Sequence, residues 1–400
     1  MIKVRLPDNF NAEKKYIVQT LFRDFLAIDS FTFDLSQSEN YEIILPGGKK
    51  IRIRDYFFKK FKNKSTYLDK NNVPENIQFF TNSDFEITNL PVIYGMPEIK
   101  INNEIIDCHI DLFASAFFML TRWEEYVHNQ PDIYGRFNAE NSLAVKHNFI
   151  NQPVVNAYSK LLLKFLEYFK YPVPCNSRKP QLYLTHDIDL LFKWPNQFSM
   201  FKTLAGDILK RASVKLFINN VRKASKYNKI KNHDPYNVYD YLMKLAEEKS
   251  VKATFFFMAG GKTKFDHRYI HHPLFPEIIK KIEKRGHKTG LHPSYLTMRN
   301  KKLLQEEIAC LQHYLRQKIT ISRQHFLRAE IPYTFRILSE AGIQTDSSMY
   351  YSAYPGFRCG SCISFPIFDF LEKKVLPVKE LPVTFMDTSI LLNHWDQAQS

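Results

Sequence analysis

Four hundred residues with 44% hydrophobic and 15% aromatic content are enough to bury one large core or two ordinary ones, which excludes a disordered chain. Twelve glycines with no Gly-x-Gly-x-x-Gly or P-loop spacing exclude the common nucleotide cradles, and five cysteines after a start lacking a secretory apolar core point to reduced thiols. The formal net charge of +15 is spread along the chain, densest between Lys202 and Lys231, so a basic solvated surface is the simpler reading and no nucleic-acid partner is expected.

In chain order, strand-like runs at Tyr41 to Leu45 and Val92 to Tyr94 precede helical patterns from Leu112 to Val127 and from Val154 to Phe169. The apolar stretch around Leu112 to Leu120 is too short to cross a bilayer, so a cytoplasmic protein is expected. The proline-rich stretch from Tyr171 to Pro180 reads as a linker, which places the domain boundary near residue 175. Beyond it, strand candidates at 182–185, 252–258, 287–291 and 319–323 alternate with helical patterns at 236–249, 275–285, 300–316 and 331–340, the last stopping at Gly342. This alternation predicts repeated βαβ units in a parallel sheet or barrel, whose chemistry lies at the carboxyl ends of the strands.

The polar residues obey that rule. On an extended 182–189 segment, Asp187 and Asp189 share one face about 7 Å apart while His186 points the other way. His292 ends the third strand and Arg323 the fourth, with His325 two residues on and facing the same way. His287 lies five residues before His292, about 17 Å away on a strand, and is a poor partner for it. Strand-end capping by the aspartates, a satisfied core role for His292 and a plain ion pair for Arg323 are the structural readings of the same residues. Cys359-Gly360-Ser361-Cys362 is the one close thiol pair, without the second pair a zinc ribbon needs. Tyr350, Tyr351, Tyr354 and Phe357 could stack on sugar rings or simply cover a barrel mouth.

From about residue 180 to 400 these ordered motifs resemble the polysaccharide deacetylases, carbohydrate esterase family 4. The segment Thr185-His186-Asp187-Ile188-Asp189 is similar to the first family motif, Lys252-Ala253-Thr254-Phe255-Phe256-Phe257 to a core strand, and Gly286-His287-Lys288-Thr289-Gly290-Leu291-His292 to the first histidine motif. Residues 107–155, with Thr121-Arg122-Trp123-Glu124-Glu125-Tyr126, resemble a domain preceding such a deacetylase in a bacterial subgroup. The resemblance implies an α/β chain in which a smaller amino-terminal α/β domain, 1–175, precedes a distorted (β/α) barrel, 176–400. It makes Asp187 the general base, Arg323 its orienting residue, Asp346 the residue steadying that arginine, and Asp189 and His292 metal ligands.

Two positions depart from the family pattern. Leu296 stands where the second metal histidine belongs, four residues after His292; His325 is the best-placed substitute, with loop residues His267, His271 and His272 next. The carboxyl end closes around His394 before the family's final strand, so the barrel is expected to lack its last elements and the general acid to be displaced or missing. The resulting expectation is a hydrolase using a divalent metal, zinc by its donors, to remove acetyl groups from N-acetylated sugars of a bacterial polysaccharide or its precursor. Its alternatives are an inactive glycan-binding protein on the same barrel, or a polyanion-binding scaffold using residues 202–231.

Overall fold

The computed structural model describes residues 1–36, 38–62, 66–128, 130–173, 180–194, 197–227 and 234–391. They divide into two compact units, one joining Met1–Lys179 to Phe326–Ser400 and the other spanning Pro180–His325.

In the first unit, β1 (Ile2–Pro7), β2 (Phe31–Ser36), β3 (Asn40–Ile44) and β4 (Lys50–Arg54) surround α1 (Asn11–Gln19), which runs on as a π-helical segment, Thr20–Phe25. A small hairpin, β5 (Gln78–Asn82) and β6 (Ile87–Val92), precedes β7 (Gly95–Ile101) and β8 (Ile105–Ile110). The main sheet has the order β2-β1-β3-β4-β8-β7. Isoleucine, valine and tyrosine side chains alternate into its core, as in Tyr41, Ile43, Ile51 and Ile53, none of which is exposed. Next come α2 (Leu112–Thr121), α3 (Trp123–Val127), α4 (Leu143–Lys146) and α5 (Val154–Tyr168).

The single helix expected over 112–127 breaks at Arg122, whose φ of 51° is left-handed. Tertiary ion pairing outweighs the unbroken apolar pattern there. Arg122 turns inward to Glu124 at 2.6 Å and Glu125 at 3.0 Å, and Glu125 also accepts from Arg358 Nε at 2.9 Å and Tyr351 O–H at 3.0 Å. Arg122, Glu124, Tyr351 and Arg358 are buried, and the Glu125 side chain is 4% exposed. Tyr16 adds a hydrogen bond to the Pro366 carbonyl, 2.8 Å, and stacks on Phe368. Such contacts explain why residues 326–400 share a unit with 1–179, although the expected boundary near 175 falls in a stretch outside the described residues.

The second unit opens with β9 (Leu184–Ile188), followed by α6 (Gln197–Leu209), α7 (Val214–Tyr227), α8 (Tyr239–Glu248), β10 (Ala253–Phe257), α9 (Phe275–Lys284), β11 (Lys288–Leu291), α10 (Lys301–Gln312) and β12 (Ile321–Ser322). The strands run parallel in the order β9-β10-β11-β12, and β10 is buried along its whole length, as a central parallel strand must be. Strand β9 starts two residues later than expected, because its register opens at Leu184 opposite Ala253 and leaves Leu182 and Tyr183 exposed. The α/β class agrees with the expectation; among the described residues these strands form an open row.

The chain then returns to the first unit with α11 (Tyr333–Glu340), β13 (Thr345–Asp346), β14 (Phe365–Asp369) and β15 (Lys374–Glu380). Strand β15 pairs parallel with β13 and antiparallel with β14. Gly342, at φ 86°, closes α11 by donating its N–H to the Ser339 carbonyl. No helix among the described residues is long and apolar enough to cross a membrane.

Candidate metal centre

Parallel pairing persists beyond the ends of the strands in the second unit. His292 N–H donates to Phe257 O at 2.8 Å, Arg323 N–H to Leu291 O at 3.0 Å, and His325 N–H to Pro293 O at 3.1 Å. This registers His292 beside His325, with ring centroids 5.1 Å apart. Asp189 is the first residue beyond β9, and the Ile188 carbonyl just before it accepts the Tyr269 hydroxyl, which in turn accepts Met258 N–H at 2.7 Å.

Asp189, His292 and His325 therefore each offer one donor atom within 4.8 Å of the others. Both Nε2 atoms approach the same oxygen, Asp189 Oδ1, at 3.3 Å from His292 and 3.5 Å from His325. Metal–donor distances of about 2.0–2.2 Å give a coordination tetrahedron with edges of about 3.3–3.5 Å, the size of the two separations from Asp189. Hydrogen bonding gives an independent fit. His292 Nδ1 lies 2.5 Å from the Arg323 carbonyl, which only accepts, so Nδ1 carries the proton and the lone pair of the neutral ring sits on Nε2, facing a carboxylate oxygen. That juxtaposition calls for a cation or a further proton between them. His325 Nδ1 faces the buried Asp266 carboxylate at 3.6 Å, a charge contact beyond hydrogen-bond distance.

The charges in this centre are coupled. Burial works against ionising Asp189, but the hydrogen bond and charge of His292, with His325 and His267 behind it, hold the carboxyl below its ordinary range. Burial also disfavours a cationic His292, and Asp189 and Asp187 outweigh it, so that ring sits above its ordinary value. Burial and the neighbouring His292 push His325 down to about 4, so it stays neutral at physiological pH, the form that donates a lone pair. Asp189 is the open side of the group, its side chain 56% exposed against 2% for His292 and 8% for His325.

Beside the triad, Arg323 Nη1 donates to Asp187 Oδ1 at 2.9 Å and to Thr185 Oγ1 at 2.8 Å. The guanidinium lies 4.8 Å over the Phe256 ring. That ring has room because residue 290 is glycine; a Cβ there would stand 2.5 Å from Phe256 Cδ1.

Five of the six residues singled out from the sequence thus lie in one unit, with His325 reaching where Leu296, half exposed, cannot. Asp346 lies in the other unit, buried at the end of β13, its Oδ1 accepting Ser348 N–H at 3.0 Å. Of the other histidines, His186 packs on Phe255 and His287 is tied between Ala253 N–H and Glu247, both away from the triad as expected. His394 and Lys231 lie outside the described residues. Tyr350 and Tyr351 do not line a mouth: both are buried, Tyr350 bonded to Ser389 and Tyr351 to the Arg122–Glu125 network. Cys359 is buried with its thiol pushed up by burial, while Cys362 is exposed, and no disulfide occurs among the described residues.

Two supporting residues escaped the sequence. Asp266 accepts Tyr295 N–H at 2.9 Å and Thr263 N–H at 3.0 Å, which places it against His325. Glu307, on α10, accepts Ser294 N–H at 2.9 Å together with the Ser294 hydroxyl, fixing the loop that follows His292. The only sequence signal for either is a lone acid near a motif, which is too common to single out.

Fold and site together define an α/β protein with a carboxylate and two imidazoles converging at parallel strand ends beside an Arg–Asp pair. Residues 2–171 match a family of unknown function, DUF7033. No curated protein matches the chain. Among solved structures, a protein assigned by name to the polysaccharide deacetylases, from Mycobacterium smegmatis, is similar at 16% identity over 51% of this chain and 58% of its own, with a TM-score of 0.31. IcaB from Ammonifex degensii is similar at 20% identity over 28% of this chain and 54% of its own, with a TM-score of 0.22. The chain thus spans little more than half of either structure.

Proposed function

We propose that the protein is a metal-dependent hydrolase that removes acetyl groups from N-acetylated sugars of a bacterial polysaccharide or its precursor, on a (β/α)-barrel-type framework of which β9-β10-β11-β12 is an arc. In sequence terms, residues 176–400 carry the deacetylase-like portion and 1–175 the portion before it. The observation that carries the reading is the convergence of Asp189, His292 and His325 on one point, with an arginine-aligned Asp187 beside it.

Asp189, His292 and His325 would hold the ion, and one carboxylate with two imidazoles suits zinc. When bound, it supplies Lewis acidity for an acetamide carbonyl and lowers the pKa of water. Asp187 acts as general base, aligned by the hydrogen bond from Arg323 Nη1 to its Oδ1. Thr185 accepts from the same Arg323 nitrogen as Asp187, and Phe256 supports the face of the guanidinium. The Arg323 carbonyl holds His292 in the tautomer that exposes Nε2, and the Asp266 carboxylate stands beside His325 Nδ1.

The test is elemental analysis of dialysed wild-type protein beside the Asp189→Ala, His292→Ala double variant, followed by acetate release from N-acetylglucosamine oligomers. About one equivalent of divalent metal in the wild type only, with acetate release that follows metal loading, is expected. Wild-type protein that holds no metal even after zinc is supplied would sink the hydrolase and leave a glycan-binding protein.

A further inference from the structure

The helices α6 and α7 present their faces in an unusual sense. The side of α6 that packs inward carries Met200, Leu204 and Asp207, and that of α7 carries Asn220 and Ala224. Met200, Leu204 and Ala224 gather around Trp194, which is fully buried. The polar members bond to each other: Asp207 accepts Asn220 Nδ2 and Arg211 Nη1, both at 2.6 Å, and Lys193 Nζ donates to Asn220 Oδ1 at 3.0 Å. Asp234 ties the base of the pair by accepting Lys193 and Trp194 N–H, both at 2.9 Å.

The outer faces are apolar. On α6, Phe198, Phe201, Ala205 and Ile208 recur at three- and four-residue spacing, one helical stripe, with Phe198 77% and Phe201 63% exposed. On α7, Val214, Ile218 and Val221 form the equivalent stripe, and Leu209 at the end of α6 is 83% exposed. Surface helices of soluble proteins normally turn such a stripe toward the core. Around these stripes stand Lys202, Lys210, Arg211, Lys215, Arg222 and Lys223, while the only acid between residues 197 and 224 is the inward Asp207.

Exposed phenylalanines and aliphatics flanked by bases match the requirements of an anionic bilayer surface: apolar side chains for the acyl boundary and lysine and arginine for the headgroups. At 13 and 14 residues the helices are about 20 Å long, too short to cross a bilayer and suited to lying in its interface. We infer that the α6–α7 pair docks the protein on membranes rich in anionic lipid. Charge complementarity selects this occupant over a second copy of the chain, whose own α6–α7 surface would bring like charges together. The inference does not depend on the hydrolase reading, since it uses none of the triad.

The test is co-sedimentation of the full chain with vesicles of phosphatidylcholine alone or with 30% phosphatidylglycerol, at about 0.1 M salt. Binding to the anionic vesicles at least about tenfold tighter than to neutral ones is expected, as several lysines and arginines engage headgroups. The Phe198→Ser, Phe201→Ser and Lys210→Glu, Lys215→Glu double variants should each weaken binding about tenfold or more. All four positions are exposed, so circular dichroism and melting temperature should match the wild type and separate lost docking from lost folding. Three results would overturn the inference: no preference for anionic vesicles, binding unchanged in the serine variant, or a concentration-dependent dimer in solution that the serine variant abolishes.

Discussion

Replacing Glu307 by Gln should change the pH dependence of stability in a direction and amount that the site dictates. Burial pushes the Glu307 carboxyl up to about 7, against the two hydrogen bonds from Ser294, whereas the unfolded chain titrates near the ordinary 4.5. Between these values the folded protein keeps a proton that the unfolded chain has released, so wild-type stability falls as pH rises through that window. A gap of about 2.5 pH units at about 1.4 kcal/mol each comes to about 3.5 kcal/mol, of which about 3 kcal/mol falls between pH 4.5 and pH 8 because the unfolded carboxyl is half-ionised at the lower value. Glutamine is neutral throughout, and its amide can still accept Ser294 N–H and donate to the serine hydroxyl. The assay is urea unfolding of both proteins at pH 4.5 and pH 8, read as variant minus wild type, so that every other titrating group cancels. The variant should gain about 3 kcal/mol relative to wild type between the two conditions. Parallel curves, or a gain with the opposite sign, would show that Glu307 is ionised in the fold and that burial does not govern it.

Three further outcomes follow from the geometry. Arg323→Lys should keep its metal while kcat/KM for acetate release falls by about 10²-fold or more, because the base loses its alignment; loss of metal in this variant would instead make Arg323 part of the ion's shell. Gly290→Ala should cost about 1–3 kcal/mol, since its Cβ would stand 2.5 Å and 2.6 Å from two Phe256 ring atoms within paired strands; an unchanged melting temperature would show that the strands yield freely. Arg358→Met should cost about 3–5 kcal/mol in urea unfolding, because it strands the buried Glu125 carboxylate, which Arg358 and Arg122 hold below its ordinary range despite burial. Adding Glu125→Gln to that variant should recover part of the loss.

The parallel strands and their terminal residues were legible because each is bounded by a helix of ordinary period, and His325 followed from its two-residue spacing after Arg323. Asp266 and Glu307 were not, since their partners, Ser294 and the residues around His325, are chosen by loop closure rather than by local pattern. Arg122 shows the converse. Its neighbours read as uninterrupted helix, and only the Arg122–Tyr351 hydrogen bond and the Glu125–Arg358 ion pair, each spanning more than two hundred positions, reveal why the helix stops. Helices α6 and α7 were not read from the sequence, where residues 202–231 stood out only as a basic zone; which of their sides faces water is decided by Trp194 and by the Asp207–Asn220 bond.

The hydrogen bond from Tyr16 to Pro366 spans 350 positions of the chain. During synthesis, α1 and α2 leave the ribosome long before their partner β14 exists, whereas residues 180–325 are complete by then. The inserted unit can therefore settle first, and Tyr16, Phe117 and Glu125 must wait with apolar rings and a carboxylate uncovered. Truncation between about residues 326 and 366 leaves that early surface unsealed, so such carboxyl-terminal deletions are expected to yield aggregates in which the unit spanning Pro180–His325 is intact.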